Sequence, residues 1–335
     1  MSIDASRTVV VTVVVALAAT VTLALLWYRI RWAGRAALIT GVVLSVIAAA
    51  ALQVNRLTET YPSWGDLVGS ASVATSPAGK PGQGRVVWYV VSGPSSGMSM
   101  PMGVYLPAAY SSRPDLRFPV VEALHGYPGA PQTWTERLGI AANLDREIAA
   151  GRMAPTVVLL PYLTPQRLVD TECTNLTGGP QAETYLTRDV PAWALEHLRV
   201  RPEPAAWGLA GFSAGGFCAM NLALRHPDRY TAAASLSGYA DPGIKVGDHS
   251  ERTGNNVAWR LTHLPQPPIA LWVGWADDDH AARDGSRRIA RLVRAPLTVT
   301  TAVVPHGGHS LAVWRQMSAP AFDWLSAHLA RPLPA

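Results

Sequence analysis

The chain has 335 residues and a formal net charge of +5, yet only 15% of its residues are charged. That basicity is spread thinly, with no Lys/Arg run and no basic-aromatic stripe, which argues against a nucleic-acid partner. The 27 Pro, 28 Gly and 12 Trp speak against a helical bundle, and no internal repeat is visible.

Two apolar runs open the chain. TVVVTVVVALAATVTLALLW (Thr8–Trp27) and AALITGVVLSVIAAAALQV (Ala36–Val54) are each close to the ~20 residues that cross a hydrocarbon core as a helix. In tandem they predict a two-helix transmembrane anchor over residues 1–55, because backbone groups in lipid must pair internally. The loop between them carries Arg29, Arg31 and Arg35, whereas the outer flanks carry Arg7 and Arg56. The positive-inside rule therefore places the loop in the cytoplasm and the downstream domain outside it. Trp27, Tyr28 and Trp32 fit an interfacial aromatic belt. A cleaved signal peptide is the competing reading, but it needs a basic segment before a shorter apolar core, and here only Arg7 precedes the run while three arginines follow it. Residues 56–84 are polar and rich in Gly, Pro and Ser, as in SPAGKPGQGR, and read as a linker.

From residue 85 onward short apolar runs alternate with helical patterns. Arg85–Val91 and Met102–Pro107 read as opening antiparallel strands. Further strands are expected at Phe118–Gly126, Pro155–Pro161, Ala205–Gly211, Thr231–Gly238, Pro268–Gly274 and Leu297–Val304. Helices are expected at Leu138–Ala150, Ala182–Leu198, Ala214–His226, Ala281–Val293 and Ala312–Leu329, with Pro191 demanding a kink or a late start in the second. Strands apolar on both faces, alternating with helices, predict an α/β domain over 85–335 with a mostly parallel sheet flanked by helices.

The sharpest motif is GFSAGG, Gly211–Gly216. It fits G-x-S-x-G between an apolar strand and an Ala-rich helix, the elbow that exposes a nucleophilic serine in the α/β-hydrolase fold. Ser213 needs a base, and in this fold the acid and then the histidine follow the serine along the chain. VVPHGGHSLAVW supplies His309, preceded by two glycines and followed by the last helix, with His306 as its competitor. The acid falls in WADDDH. Asp277, Asp278 and Asp279 are the candidates, and resemblance to related hydrolases, in which the acid often stands three residues after a strand-ending glycine, here Gly274, implies Asp277. HGYPG (His125–Gly129) follows the Phe118–Leu124 strand, where the fold carries its oxyanion loop. The backbone N–H groups of Tyr127 and Ala214 are the expected donors; Pro128 has none, and His125 reads as structural.

On HGYPG, GFSAGG, the WADDD turn and GGHSLAVW, the chain from about Arg85 onward resembles the putative esterase family of α/β hydrolases. That family includes S-formylglutathione hydrolases, feruloyl esterases and bacterial mycolyltransferases. The resemblance implies carboxylic-ester hydrolysis or acyl transfer, with a small-molecule, lipid or glycan ester as substrate. The membrane hairpin departs from the soluble members and points to a cell-envelope substrate. Cys173 and Cys218 are the only cysteines. Outside the cytoplasm they can form a disulfide tying the DTECTNL loop to the helix after Ser213, the alternative being two buried thiols. No cofactor is expected, and a metal site built from the aspartate cluster with His280 is poorly supported. Three functions compete: a serine esterase, an acyltransferase using the same acyl-enzyme, and a scaffold that has lost catalysis.

Overall fold

The structure, a computed structural model, describes residues 6–58, 82–166 and 168–334. Most of the expected linker, residues 59–81, lies outside the described residues. The chain divides into two compact units, a helical N-terminal one and a larger α/β one.

The first unit contains α1 (Ser6–Leu26) and α2 (Trp32–Thr58), which pack against each other. The Arg35 guanidinium lies 4.9 Å from the centre of the Trp27 ring. Two membrane spans are expected from the sequence. By length and composition one described helix qualifies, Trp32–Asn55, with 24 residues and a mean hydropathy of 2.3. The described apolar stretch of α1, Val10–Leu26, is shorter.

The second unit is an eight-stranded sheet with helices on both faces. Its strands are β1 (Arg85–Gly93), β2 (Met98–Leu106), β4 (Val120–Leu124), β5 (Val157–Pro161), β6 (Trp207–Phe212), β7 (Ala232–Leu236), β8 (Ala270–Ala276) and β9 (Thr298–Val304). A two-residue strand, β3 (Leu116–Arg117), pairs instead with β10 (Leu333–Pro334). The sheet order is β1-β2-β5-β4-β6-β7-β8-β9. The opening pair is antiparallel, as expected from the sequence, and so is β2 with β5. From β5 to β9 every pairing is parallel. Strands β4 to β8 are buried along their whole length, which is why their sequences are continuous apolar runs.

The α-helices of this unit are α3 (Ala108–Ser112), α4 (Ile140–Ala149), α5 (Val190–His197), α6 (Ala214–Arg225), α7 (Val257–His263), α8 (His280–Leu292) and α9 (Leu311–His328). α9 packs on β6, β7 and β8 beside α4, while α6 covers β4, β6 and β7. The helix expected over Ala182–Leu198 does start at Ala182, but Tyr185–Asp189 forms a π-turn before α5. Pro191 then falls in the first turn of α5, where its missing N–H breaks no bond. α7 has no counterpart among the helices expected from sequence.

Glu122 stands alone among these buried strands. It is fully buried in mid-β4; its Oε1 accepts the Tyr230 hydroxyl at 2.9 Å, and its Oε2 has no partner. Burial pushes its carboxyl up to about 8 from an ordinary 4.5, although the Tyr230 bond pulls the other way. The folded state therefore holds this proton more tightly than the unfolded chain. Its stabilising effect is complete below about pH 4.5 and is lost as the pH rises towards about 8. Between pH 5 and pH 8.5 the wild type should lose on the order of 2–5 kcal/mol that Glu122→Gln keeps. Urea midpoints of both proteins at the two pH values measure this, and equal pH slopes would contradict it.

Candidate active site

The parallel strands bring their C-terminal ends, and the loops that follow, to one edge of the sheet. Ser213 sits between β6 and α6 with φ 56° and ψ −124°, a conformation that non-glycine residues rarely adopt. Its neighbours explain how the turn closes. A Cβ on Gly211 would collide with the carbonyl of Gly215, and one on Gly215 with the carbonyls of Leu124 and His125. Glycine at both positions lets strand, helix and the β4 loop approach closely enough to hold the serine in place. The Ser213 amide donates to the Leu236 carbonyl at 2.9 Å, tying the turn to the end of β7.

The Ser213 hydroxyl lies 2.8 Å from Nε2 of His309, and Nδ1 of that ring lies 2.6 Å from Oδ2 of Asp279. A hydroxyl, an imidazole and a carboxylate so linked can move the serine proton to the ring while the carboxylate fixes the tautomer and balances the charge. His306 is exposed and close to the charge of Asp278.

The structure corrects the acid. Asp277 does not face His309: it is exposed and pairs with Arg287, whose Nη2 is 2.8 Å from its Oδ1. The reason is the strand end. β8 runs past Gly274 to Ala276, held by the Trp275–Val303 and Ala276–Val304 pairs with β9. Counting three residues from the true end of the strand gives Asp279. Each aspartate has its own task. Asp278 accepts the amides of Gly307 (3.0 Å) and Gly308 (2.8 Å), which pin the histidine loop and hold its carboxyl below the usual range. Asp279 is buried, caps α8 by accepting the Ala282 amide at 3.4 Å, and carries the bond to His309.

Two further groups shape the site without having been read from the sequence. The Tyr239 hydroxyl, on the loop after β7, is 3.1 Å from both Ser213 Oγ and His309 Nε2. Burial raises its pKa, so it is a neutral phenol at physiological pH. Its ring also stacks with the His309 ring, at 5.9 Å. On another side Trp314 meets His309 edge-on at 5.0 Å and stacks on Phe212 at 4.7 Å; Phe212 in turn contacts Trp134, and Trp134 contacts Phe322. The only signal for Tyr239 was its place just after a parallel strand, where such folds put ligand-contacting residues.

Tyr127 and Ala214 line one cleft with Ser213, of about 630 Å³. Cys173 and Cys218 are bonded, joining the loop at Thr171–Thr174 to α6. Among the described residues no three His, Cys, Asp or Glu side chains are grouped to hold a metal ion.

The fold and this hydrogen-bonded chain define the class, the α/β hydrolases. The chain belongs to the family described as "Putative esterase", which matches residues 93–327. An uncharacterised protein of Corynebacterium glutamicum is 25% identical over 238 residues, covering 66% of this chain and 56% of its own length. The diacylglycerol acyltransferase/mycolyltransferase Ag85A of Mycobacterium tuberculosis is 34% identical over 65 residues, 19% of each chain. The chain thus spans little more than half of one curated relative and a fifth of the other. Among solved structures, a ferulic acid esterase superposes with a TM-score of 0.66 at 19% identity, covering 74% of this chain and 99% of that one. An S-formylglutathione hydrolase from Agrobacterium tumefaciens gives 0.64 at 17% identity, covering 76% and 99%. These likenesses show the fold.

The assignment of Asp279 can be checked at one pH on folded variants. Asp279→Asn should lower kcat on an activated ester by on the order of 10²–10⁴-fold. Asp278→Ala, which frees the histidine loop, should cost about tenfold, and Asp277→Asn less than about threefold. A large loss confined to Asp277→Asn would restore the register read from the sequence.

Proposed function

We propose that this protein is a membrane-anchored serine hydrolase that cleaves carboxylic esters through an acyl-enzyme on Ser213, with its α/β unit outside the cytoplasm. The observation that carries the chemistry is the unbroken chain from Ser213 Oγ through His309 to Asp279, at 2.8 and 2.6 Å. His309 Nε2 takes the hydroxyl proton as Oγ attacks the ester carbonyl. The amides of Tyr127 and Ala214 stabilise the oxyanion, for which their place in the same cleft as Ser213 is the support. As the intermediate collapses, the C–O bond to the alcohol breaks and His309 returns the proton to it. Water, deprotonated by the same ring, then releases the acid and regenerates the serine.

Acyl transfer to a sugar or lipid hydroxyl is the second reading. It is favoured by the Ag85A relatives, whose name states that activity, and it differs only in which hydroxyl attacks the acyl-enzyme. The anchor rests on the two apolar helices, and the orientation on the arginines between them, Arg29, Arg31 and Arg35. The disulfide accords with an oxidising compartment.

Two experiments test this reading. Ser213→Ala should cut kcat on a short-chain activated ester by on the order of 10⁴-fold or more, and a fluorophosphonate should add its mass to Ser213 in the wild type alone. Activity near the wild-type level in Ser213→Ala would remove the nucleophile. For topology, a C-terminal alkaline phosphatase fusion should be active. A C-terminal green fluorescent protein, exported unfolded, should stay dark. The reverse pattern would place the α/β unit in the cytoplasm.

A further inference from the structure

The cleft beside Ser213 is walled by an excess of acid. Asp170, Glu172, Asp241 and Asp284 line it, and Arg288, which is exposed, is the single cation among the described lining residues. Asp284 is already paired with Arg283, at 3.0 Å. Asp170 accepts the Glu172 amide at 3.1 Å, and Asp241 the Gly243 amide at 3.2 Å. Glu172 differs from both. It is 6% exposed, and its buried Oε2 has no hydrogen-bond partner. Of the other buried carboxylates in this unit, Glu183 pairs with Arg225 and His226 and Glu147 with Arg152 and Arg146, while Glu122, whose Oε2 also lacks a partner, sits within β4 and does not line this cleft.

A buried carboxylate without a partner is costly, and Glu172 is one that lines a cleft, where a ligand can supply the missing partner. The backbone holds it there firmly. Glu172 and Cys173 are both left-handed, with φ 42° and 53°, and the Cys173–Cys218 bond fixes their loop to α6, the helix that begins after Ser213. Burial, and then the charges of Asp170 and Asp241, raise the Glu172 carboxyl well above its usual range, so a cation bound beside it is what would restore its negative charge. The charges of Glu172 and Asp170 also reach the Tyr239 phenol, whose oxygen is 3.1 Å from Ser213 Oγ. The acidic wall and the nucleophile therefore share one small space. A neutral hydroxyl would give Glu172 a hydrogen bond but leave the excess negative charge. Any cation balances that charge, an ammonium N–H also supplies the hydrogen bond, and the Tyr127 and Tyr239 rings in the same cleft offer π faces to a quaternary ammonium.

We propose that this cleft is a subsite for a cationic group, an ammonium or quaternary ammonium borne by the acyl or alcohol half of the substrate, and that Glu172 is its principal counter-charge. The proposal rests on the hydrolase reading for its kinetics but not for its binding.

Two matched pairs of probes test it. In the first, p-nitrophenyl 4-(trimethylammonio)butanoate is compared with the neutral isostere p-nitrophenyl 5,5-dimethylhexanoate. The wild type should prefer the cationic ester by about tenfold or more in kcat/KM, and Glu172→Gln should cut that ratio at least about threefold. Gln keeps the hydrogen-bonding shape and removes the charge. Asp170→Asn, which keeps the acceptor for the Glu172 amide, should lower the ratio in the same direction and serves if Glu172→Gln does not fold. In the second pair, Ser213→Ala and the double variant Ser213→Ala/Glu172→Gln are titrated calorimetrically with choline and with 3,3-dimethylbutanol; choline should bind the first tighter by a similar factor and lose at least about threefold of that preference in the second. This arm needs no turnover, so it decides the subsite even if no ester is cleaved and the hydrolase reading fails. A Glu172-dependent preference for the cation in either pair supports the proposal. Equal treatment of cation and isostere in both pairs, or a preference that survives in Glu172→Gln and Asp170→Asn alike, overturns it.

Discussion

Everything at the candidate site depends on one backbone constraint, the turn that carries Ser213 from β6 into α6. The residue is held at φ 56°, a state that costs on the order of 1–3 kcal/mol for a side chain with a Cβ. The surroundings enforce it: the glycines at 211 and 215 let three backbones meet where any side chain would collide, and the Leu236 carbonyl anchors the serine amide. The result is a hydroxyl that projects from the end of the sheet without an entropy cost at the moment of reaction.

Around that fixed point the other groups are placed by two different kinds of force. Packing orients His309 from one side, through Trp314 and a run of aromatic contacts that reaches Phe322 on α9. Charge and hydrogen bonding orient it from the other, through the carboxylates of the β8–α8 turn. A loop containing two left-handed glycines, Gly307 and Gly308, has little stiffness of its own. Asp278 supplies it by binding both of their amides. The Tyr239 phenol completes the cage, in contact with both reacting partners and with its pKa raised by partial burial.

The large elements could be read from the sequence because their signals are local. Continuous apolar runs give buried parallel strands, and G-x-S-x-G between strand and helix gives the serine elbow. The miss at Asp277 has a physical origin. Gly274 looks like a terminator, but its position inside β8 is fixed by pairing with β9, a contact made across 28 residues of sequence (Gly274 with Ala302). Where a strand ends is decided by its neighbour, so a count that starts from the end inherits that neighbour's register. Tyr239 and Glu172 were missed for a related reason. Nothing in SGYADPG or DTECTNL marks either residue; each matters only because β7 and the disulfide bring it to Ser213. The π-turn before Pro191 shows the opposite case, in which the local rule against proline holds and the helix bends its hydrogen bonding to obey it.

The aspartate at 279 has an evolutionary corollary. It serves α8 as a cap and His309 as a counter-charge, with a long bond to the helix (3.4 Å) and a short one to the ring (2.6 Å). Asn or Ser would cap a helix about as well but would bring no charge to the imidazole. Glu would bring the charge on a longer arm and would cap poorly. Two demands that each tolerate several residues intersect at one, so this position is closed to drift. Asp277, two residues before it on the solvent side, is free to wander so long as the turn still forms.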